Sequence, residues 1–187
     1  MTPYAIGLFA HFVGMVGLFV GYGLEWVASS LLRRSTTTDE ARSWLRIYKL
    51  SLPVSGPGLL LLFLSGFYLA SATGAMSHGW ISASLLGILL ALGIGFVFIL
   101  PKMRALRAAL PEGDAGLSEA GRERVQDPMM VTLVRVRAIL ALGIVLLMTA
   151  KPEALSTSLF ILLGAIVIGM LCAATSWGNR PTTAKAA

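Results

Sequence analysis

The longest uncharged stretch of this chain constrains its fold more than any other feature. No Asp, Glu, Lys or Arg occurs from Leu50 to Pro101, nor in a second stretch from Ala154 to Asn179. About 20 apolar residues in a helix cross a bilayer core, because the backbone groups are then hydrogen-bonded within the segment. Barrel strands would alternate apolar and polar side chains, whereas a segment such as LLLLFLSGFYLA is apolar on every side. The sequence therefore predicts an all-α bundle of transmembrane helices.

Composition supports a membrane protein and argues against several other classes. Of the 187 residues, 56% are hydrophobic, which is more apolar surface than a soluble domain of this size can bury. The net charge of +6 would suit nucleic acid, but the basic residues flank the apolar segments, so no nucleic-acid partner is expected. Cys172 is the single cysteine, which excludes an internal disulfide and a four-ligand zinc site of the usual kind.

The apolar segments divide the chain into five predicted spans within one membrane domain, residues 1–187. The spans are predicted at residues 4–32, 52–73, 80–100, 130–150 and 155–177. They leave basic loops at 33–51 and 101–129 and a tail at 178–187. The lipid bilayer is therefore the expected partner of most of the surface.

The distribution of Lys and Arg predicts the orientation, because cytoplasmic segments of membrane proteins retain positive charge. Every one of the 15 basic residues except Lys151 lies in the two loops, the tail or the start of the fourth span. An odd number of spans places the tail on the side of these loops, which favours five spans over four or six. We expect a bacterial inner-membrane protein with its N-terminus outside and its C-terminus in the cytoplasm.

Helix signals also occur in the two basic loops. Apolar residues recur at helical spacing after the predicted caps Thr38 and Asp39, which indicates an interfacial helix running into the second span. In the other loop, Ser118 is expected to cap a second short helix.

The segment PVSGPG, residues 53–58, predicts an interruption at the start of the second span. Pro53 and Pro57 lack a backbone N–H, and Gly56 lies between them, so this entry is expected to be kinked or partly unwound. A broken helix that lines a cavity would suit a transporter or channel. A simple kink at the membrane boundary is the alternative.

Small residues form a stripe along the first span. Gly14, Gly17 and Gly21 recur at intervals of three and four residues, a spacing that lets helices approach closely. One interpretation is a homo-oligomer interface or the seat of a flat cofactor. The other is packing against a second helix of the same chain.

Both histidines are expected in the outer half of the membrane. His11 lies about 10 Å along the first span, and His78 lies in the uncharged loop between the second and third spans. Met15, Met76 and Met148 accompany them. Imidazole and thioether groups suit haem iron or copper(I), so these five residues are predicted to bind haem b or copper, with His11 and His78 as metal ligands. Alternatively, His11 is hydrogen-bonded to a neighbouring helix, His78 faces water and the methionines fill the core.

Charged residues near the cytoplasmic side predict an ion pair within the membrane. A fourth span starting after Arg137 would be too short for a bilayer, so Arg135 and Arg137 are expected within or at the edge of the inner leaflet. Two residues apart on a helix, they point in nearly opposite directions. One is predicted to pair with Glu25 or to bind an anionic group such as a haem propionate or lipid phosphate. The other would extend to lipid headgroups, and pure topology signalling is the alternative.

Motifs for catalysis are missing from the sequence. It contains no paired carboxylates within a span, no HExxH, no Gly-rich phosphate loop after a strand, and no nucleophile with a nearby base. This favours a non-enzymatic role.

The first hundred residues resemble a known group of proteins. The segments LFAHFVGMVGLFVGYGLEW and LPVSGPGLLLLFLSGFYLA look like bacterial predicted-membrane-protein families of unknown function. These families are loosely similar to the CopD copper-resistance membrane domain and to HemJ-type protoporphyrinogen oxidase. The resemblance implies haem or copper at His11. The third span carries no charge before Lys102, which departs from the HemJ-like pattern and from its enzymatic activity.

Three functional hypotheses follow from the sequence. The protein binds haem or copper through His11, or it is a small transporter or channel-like bundle that uses the broken second span and the inner arginines. The third hypothesis is a structural or interaction subunit that assembles through the small-residue stripe.

Overall fold

The computed structural model describes residues 1–110 and 116–177, apart from the side chains of residues 176 and 177. Within these ranges the chain is helical and forms no strand. Five helical segments are long and apolar enough to cross a membrane, so the predicted all-α fold with five transmembrane helices is confirmed. The predicted tail, residues 178–187, and residues 111–115 of the second basic loop lie outside the described residues.

Seven α-helices occur in the described parts of the chain. They are α1 (Pro3–Leu32), α2 (Thr38–Ala72), α3 (Gly79–Gly93), α4 (Leu100–Ala109), α5 (Glu119–Val125), α6 (Pro128–Ala150) and α7 (Leu155–Trp177). A 3₁₀ turn at Ala75–Ser77 joins α2 to α3. π-helical turns at Ile94–Ile99, called the π segment below, join α3 to α4.

The first basic loop is shorter than predicted because α2 begins at Thr38. The N-cap is Thr37, one residue before the predicted caps. Thr37 Oγ1 accepts a hydrogen bond from the Glu40 backbone N–H at 3.3 Å, and the Glu40 carboxylate accepts in return from the N–H of Thr37. This reciprocal capping box pairs N–H groups that the first turn of a helix otherwise leaves free. The predicted helix that runs into the second span is therefore confirmed.

The predicted unwinding at PVSGPG is wrong. α2 continues without interruption from Thr38 to Ala72, with Pro53 and Pro57 inside it. Each proline removes one backbone hydrogen bond. Unwinding this segment would leave still more backbone groups unpaired beside lipid, which costs more than keeping the helix intact. A kink at these prolines stays a prediction.

The second basic loop also contains more helix than predicted. α4 extends to Ala109, and α5 begins after Ser118, whose Oγ accepts a hydrogen bond from the Gly121 N–H at 3.1 Å. The predicted cap and short helix are therefore confirmed. An ion pair of 2.6 Å between Lys102 Nζ and Asp127 Oδ2 connects α4 to the start of α6.

The glycine stripe of α1 packs against α2. A Cβ at Gly14 would lie 2.6 Å from the Leu62 backbone nitrogen, and one at Gly21 would lie 2.4 Å from Ser55 Cβ. Gly17 also lies close to α2, since its Cβ would be 3.2 Å from Gly58 Cα. The small side chains thus allow backbone-to-backbone contact within one chain. This surface is consequently covered by α2 and is not available to a second copy or to a flat cofactor.

The two ends of the bundle differ in their packing. At the basic end, the C-terminal part of α1 and the N-terminal parts of α2 and α6 enclose an apolar cluster together with α4 and α5, including Leu32, Ala41, Leu106, Val125 and Met130. At the opposite end, a Cβ on Gly79 would lie 3.1 Å from Leu155 Cα, so the starts of α3 and α7 are in contact. Between the ends, a layer formed by Leu18, Tyr22, Leu62 and Ala141 joins α1, α2 and α6.

Candidate functional site

A cleft lies toward the end of the bundle that is opposite the basic end, and three of the predicted ligands line it. His11 of α1, Met76 of the 3₁₀ turn and Met148 of α6 line it. Its walls are mainly apolar side chains of α2 and α3, such as Phe67 and Leu85. The cleft forms because α2 packs on α1 whereas α3 packs on α6 and α7, so α2 and α3 have few direct contacts.

Ser65 favours one of the two neutral tautomers of the His11 ring. The Ser65 hydroxyl donates to the Leu61 carbonyl at 2.6 Å, and the same Oγ lies 3.3 Å from His11 Nδ1. With the hydroxyl proton directed at the shorter of the two contacts, Oγ is placed to accept from Nδ1. This arrangement favours a proton on Nδ1, which leaves the lone pair of Nε2 for a metal.

Gly66 brings the His11 ring close to the backbone of α2. A Cβ at Gly66 would lie 3.0 Å from His11 Cε1, so the imidazole packs directly on this turn. Ser65 and Gly66 were not predicted as site residues. The only signal for them in the sequence was that two adjacent small residues of the second predicted span fall in the same leaflet as His11. This signal is weak because small residues are common in membrane helices.

The other two predicted ligands lie outside the cleft. Met15 packs beside the layer of Leu18 and Tyr22, deeper in the bundle. His78 is exposed, and its Nδ1 lies 3.2 Å from the Ala75 carbonyl oxygen. The structure thus does not place His78 beside His11 in the cleft, because His78 lies at the turn that starts α3 and its ring folds back on the 3₁₀ turn.

The cleft is small and its predicted ligands are chemically soft. Its volume is about 60 Å³, below the roughly 300–1,000 Å³ of typical cofactor pockets. One imidazole and two thioethers form a soft and neutral ligand set of the kind that favours copper(I).

A second group of polar residues, called the inner polar cluster below, lies in the basic half of the bundle. It consists of Tyr22 and Glu25 of α1, Ser51 of α2 and Arg137 of α6. Arg137 Nη1 donates to Glu25 Oε2 at 3.0 Å and to Oε1 at 3.3 Å, and Ser51 Oγ donates to Oε1 at 3.1 Å. The side chains of Glu25 and Arg137 are only 6% and 11% exposed. The cluster joins three transmembrane helices through one carboxylate.

The Arg137 guanidinium is held by more than its carboxylate partner. Its Cζ lies 4.4 Å from the centre of the Tyr22 ring, within the range of a cation–π contact. On another side it meets Gly95 of the π segment, where a Cβ would lie 3.1 Å from Cζ. π-helical turns of this kind occur frequently at functional sites.

Arg135 has different surroundings from Arg137. Its Cζ lies 5.1 Å from the Trp26 ring centre, and its Nη1 donates to the Cys172 carbonyl of α7. Arg137 is thus the arginine that faces Glu25, while Arg135 contacts α1 and α7 on another side of α6.

Tyr22 and Ser51 were not predicted as members of the cluster. His11, Leu18, Tyr22 and Glu25 lie seven, four and three residues apart in sequence, a spacing that places them on one face of α1. This spacing could have identified Tyr22. Ser51 carried no comparable signal, because its role depends on how α2 pairs with α1.

Comparison with known proteins yields no relative of this chain. No protein-family model, no curated protein and no solved structure matches it at a significant level.

Proposed function

We propose that this chain is an inner-membrane protein that binds copper(I) in the outer half of its helical bundle. The observation that carries the proposal is the convergence of His11, Met76 and Met148 on one cleft from three separate parts of the fold. The Nδ1-protonated ring of His11 supports it, because Nε2 is then unprotonated. The likeness of residues 8–26 to proteins associated with haem or copper points to the same residue.

The surroundings of the cleft suit a monovalent soft ion. A charged ion deep in an apolar site is costly, but Met76 is 40% exposed, so one side of the cleft is open. Methionine and histidine ligands carry no charge, which favours copper(I) over ions that require carboxylate or thiolate ligands.

The membrane and the orientation are part of the same proposal. All basic residues except Lys151 lie at one end of the predicted topology, which supports a bacterial inner membrane with that end in the cytoplasm. His11 and Met148 would then face the periplasmic half of the bilayer.

Anaerobic titration of the detergent-purified protein with copper(I), in competition with a chromogenic chelator, tests the proposal. We expect one ion per chain. Loss of a residue that hydrogen-bonds to a metal ligand typically weakens metal binding about 10–100-fold. Loss of a ligand itself should cost more, so His11→Ala and Met148→Leu should each weaken copper(I) binding by more than this factor.

Matched controls are available for both ligand types. His78→Ala removes the exposed histidine, and Met170→Leu changes a 46% exposed methionine on α7; both should leave the affinity unchanged. Wild-type affinity in His11→Ala would overturn the proposal. A Soret band in the purified protein would indicate haem b instead.

The transporter hypothesis has less support. It used a broken α2 and the inner arginines. α2 is a continuous helix through both prolines, and the two arginines contact Glu25 and the Cys172 carbonyl within the chain.

A further inference from the structure

Buried polar atoms without a hydrogen-bond partner are concentrated in the basic half of the bundle. Among the described residues they are Thr38 Oγ1, Tyr48 OH, Arg135 Nε and Arg137 Nε. Folded proteins leave few buried polar groups unpaired, because each lost its hydrogen bonds to water on folding. These four atoms therefore indicate where the interior of the protein requires a further polar partner.

Two of the four atoms belong to the surroundings of the Glu25 carboxylate. Arg137 Nε is part of the guanidinium that pairs with Glu25. Tyr48 lies three residues before Ser51 on α2, so the two side chains share one face of that helix, and Ser51 donates to Glu25. An acceptor between Tyr48 and Arg137 would accordingly lie next to the ion pair.

The charge balance of the cluster identifies the class of acceptor. Glu25 and Arg137 neutralise each other, so a bound anion would bring an unpaired charge into a site of low dielectric constant. A neutral acceptor avoids this cost. Water is the smallest such group, and it can accept two hydrogen bonds while donating two. The Glu25 carboxylate already accepts three hydrogen bonds and has about four acceptor positions, so it can take one more.

We propose that Tyr48, Arg137 and Glu25 enclose an internal water site that hydrates the ion pair. The layer of Leu18, Leu62 and Ala141 separates this site from the cleft, and the apolar cluster that includes Leu32 and Leu106 covers it toward the basic end. This inference is independent of copper binding, since it concerns the metal-free chain.

X-ray radiolytic labelling with mass spectrometry tests the site directly, since water held beside a side chain produces hydroxyl radicals at that point. We expect Tyr48 to be oxidised nearly as fast as Tyr4, which is 46% exposed at the start of α1, although the Tyr48 hydroxyl is buried. Absence of oxidation at Tyr48 under a dose that labels Tyr4 would overturn the proposal.

The effect of Tyr48→Phe on unfolding is a second and independent test. If the hydroxyl bonds to water, its removal should lower the ratio of folded to unfolded protein about tenfold, a loss of one hydrogen bond. If the hydroxyl has no partner, its removal should leave that ratio unchanged or raise it, which would contradict the proposal. Tyr68→Phe, on the exposed face of the same helix, is the matched control and should have no effect.

Discussion

Glu25 Oε2 on α1 lies 3.0 Å from Arg137 Nη1 on α6, and this buried ion pair joins two helices that are more than 100 residues apart in sequence. A buried pair is a weak source of net stability, but breaking it leaves a charge without a partner. The pair therefore fixes which faces of α1 and α6 meet.

Reversing one charge of this pair should strongly destabilise the protein. Glu25→Arg or Arg137→Glu should each lower the free energy of unfolding by at least about 3–5 kcal/mol, because two like charges are then buried together. Combining both changes restores opposite charges and should recover most of that loss in an unfolding titration. If the loss of stability in the double variant equals the sum of the two single losses, Glu25 and Arg137 do not pair directly. Lys102→Ala, which breaks the partly exposed pair with Asp127, should cost no more than about 1 kcal/mol.

Gly14→Ala should separate α1 from α2. The new Cβ would lie 2.6 Å from the Leu62 backbone nitrogen, so one helix must move, at a cost of about 1–3 kcal/mol as in other overpacked interiors. Gly23→Ala is the matched control on the same helix, since nothing lies within 4 Å of its Cβ position. It should leave the free energy of unfolding unchanged or raise it slightly. Equal effects of both substitutions would argue against the close contact.

Gly95→Ala should act through Arg137. Its Cβ would lie 3.1 Å from the guanidinium carbon, which must then shift from its place beside Tyr22. We expect a loss of about 1 kcal/mol in the wild-type background and a much smaller loss when Arg137 is already alanine. Gly93→Ala, with open space around its Cβ, should be neutral in both backgrounds. A cost independent of Arg137 would indicate that the π segment itself requires glycine.

Ser65→Ala should weaken copper(I) binding without removing a ligand. Ser65 accepts from His11 Nδ1 and so orients the ring and selects its tautomer; outer-shell changes of this kind cost about 10–100-fold in metal affinity. Ser84 lines the same cleft, but its hydroxyl donates to the Trp80 carbonyl of its own helix. Ser84→Ala should therefore keep the wild-type affinity in the chelator competition. Equal affinities of both variants would remove Ser65 from the site.

Cysteine labelling should reveal the orientation. In a Cys172→Ser background, the exposed Ser77 and Ser43 lie at opposite ends of the bundle, and each can be replaced by cysteine in turn. With the N-terminus outside, a membrane-impermeant maleimide should label Ser77→Cys in intact spheroplasts and Ser43→Cys only after permeabilisation. The reverse pattern would contradict the proposed orientation.

The number of spans could be predicted from sequence, but the lengths of the helices could not. Lipid requires an uncharged apolar segment, so charge-free stretches identify the membrane crossings. α2 begins at Thr38 and α4 ends at Ala109, because the charged residues of these segments do not prevent helix formation, and so the predicted loops at 33–51 and 101–129 were too long. The unwinding predicted from the prolines of α2 was wrong for a related reason. In lipid, unpaired backbone groups have no water to bond to, so a helix persists that would unwind in water.

Residue types indicated the chemistry of the cleft and of the inner polar cluster. They did not indicate which residues belong to each of them. His11, Glu25 and the two arginines were singled out because ionisable groups are rare in membrane spans. Which arginine faces Glu25 depends on the rotation of α6, and the contribution of Ser51 depends on the pairing of α2 with α1.

Hydropathy and charge therefore determined by themselves that this chain is a five-span helical membrane protein, because the solubility of each segment in lipid is a local property. The tertiary structure alone decided that the glycine stripe faces α2, that Met76 and Met148 join His11 while His78 does not, and that Arg137 pairs with Glu25. Those relationships depend on the rotation and pairing of helices, which follow from close packing between segments that are distant in sequence.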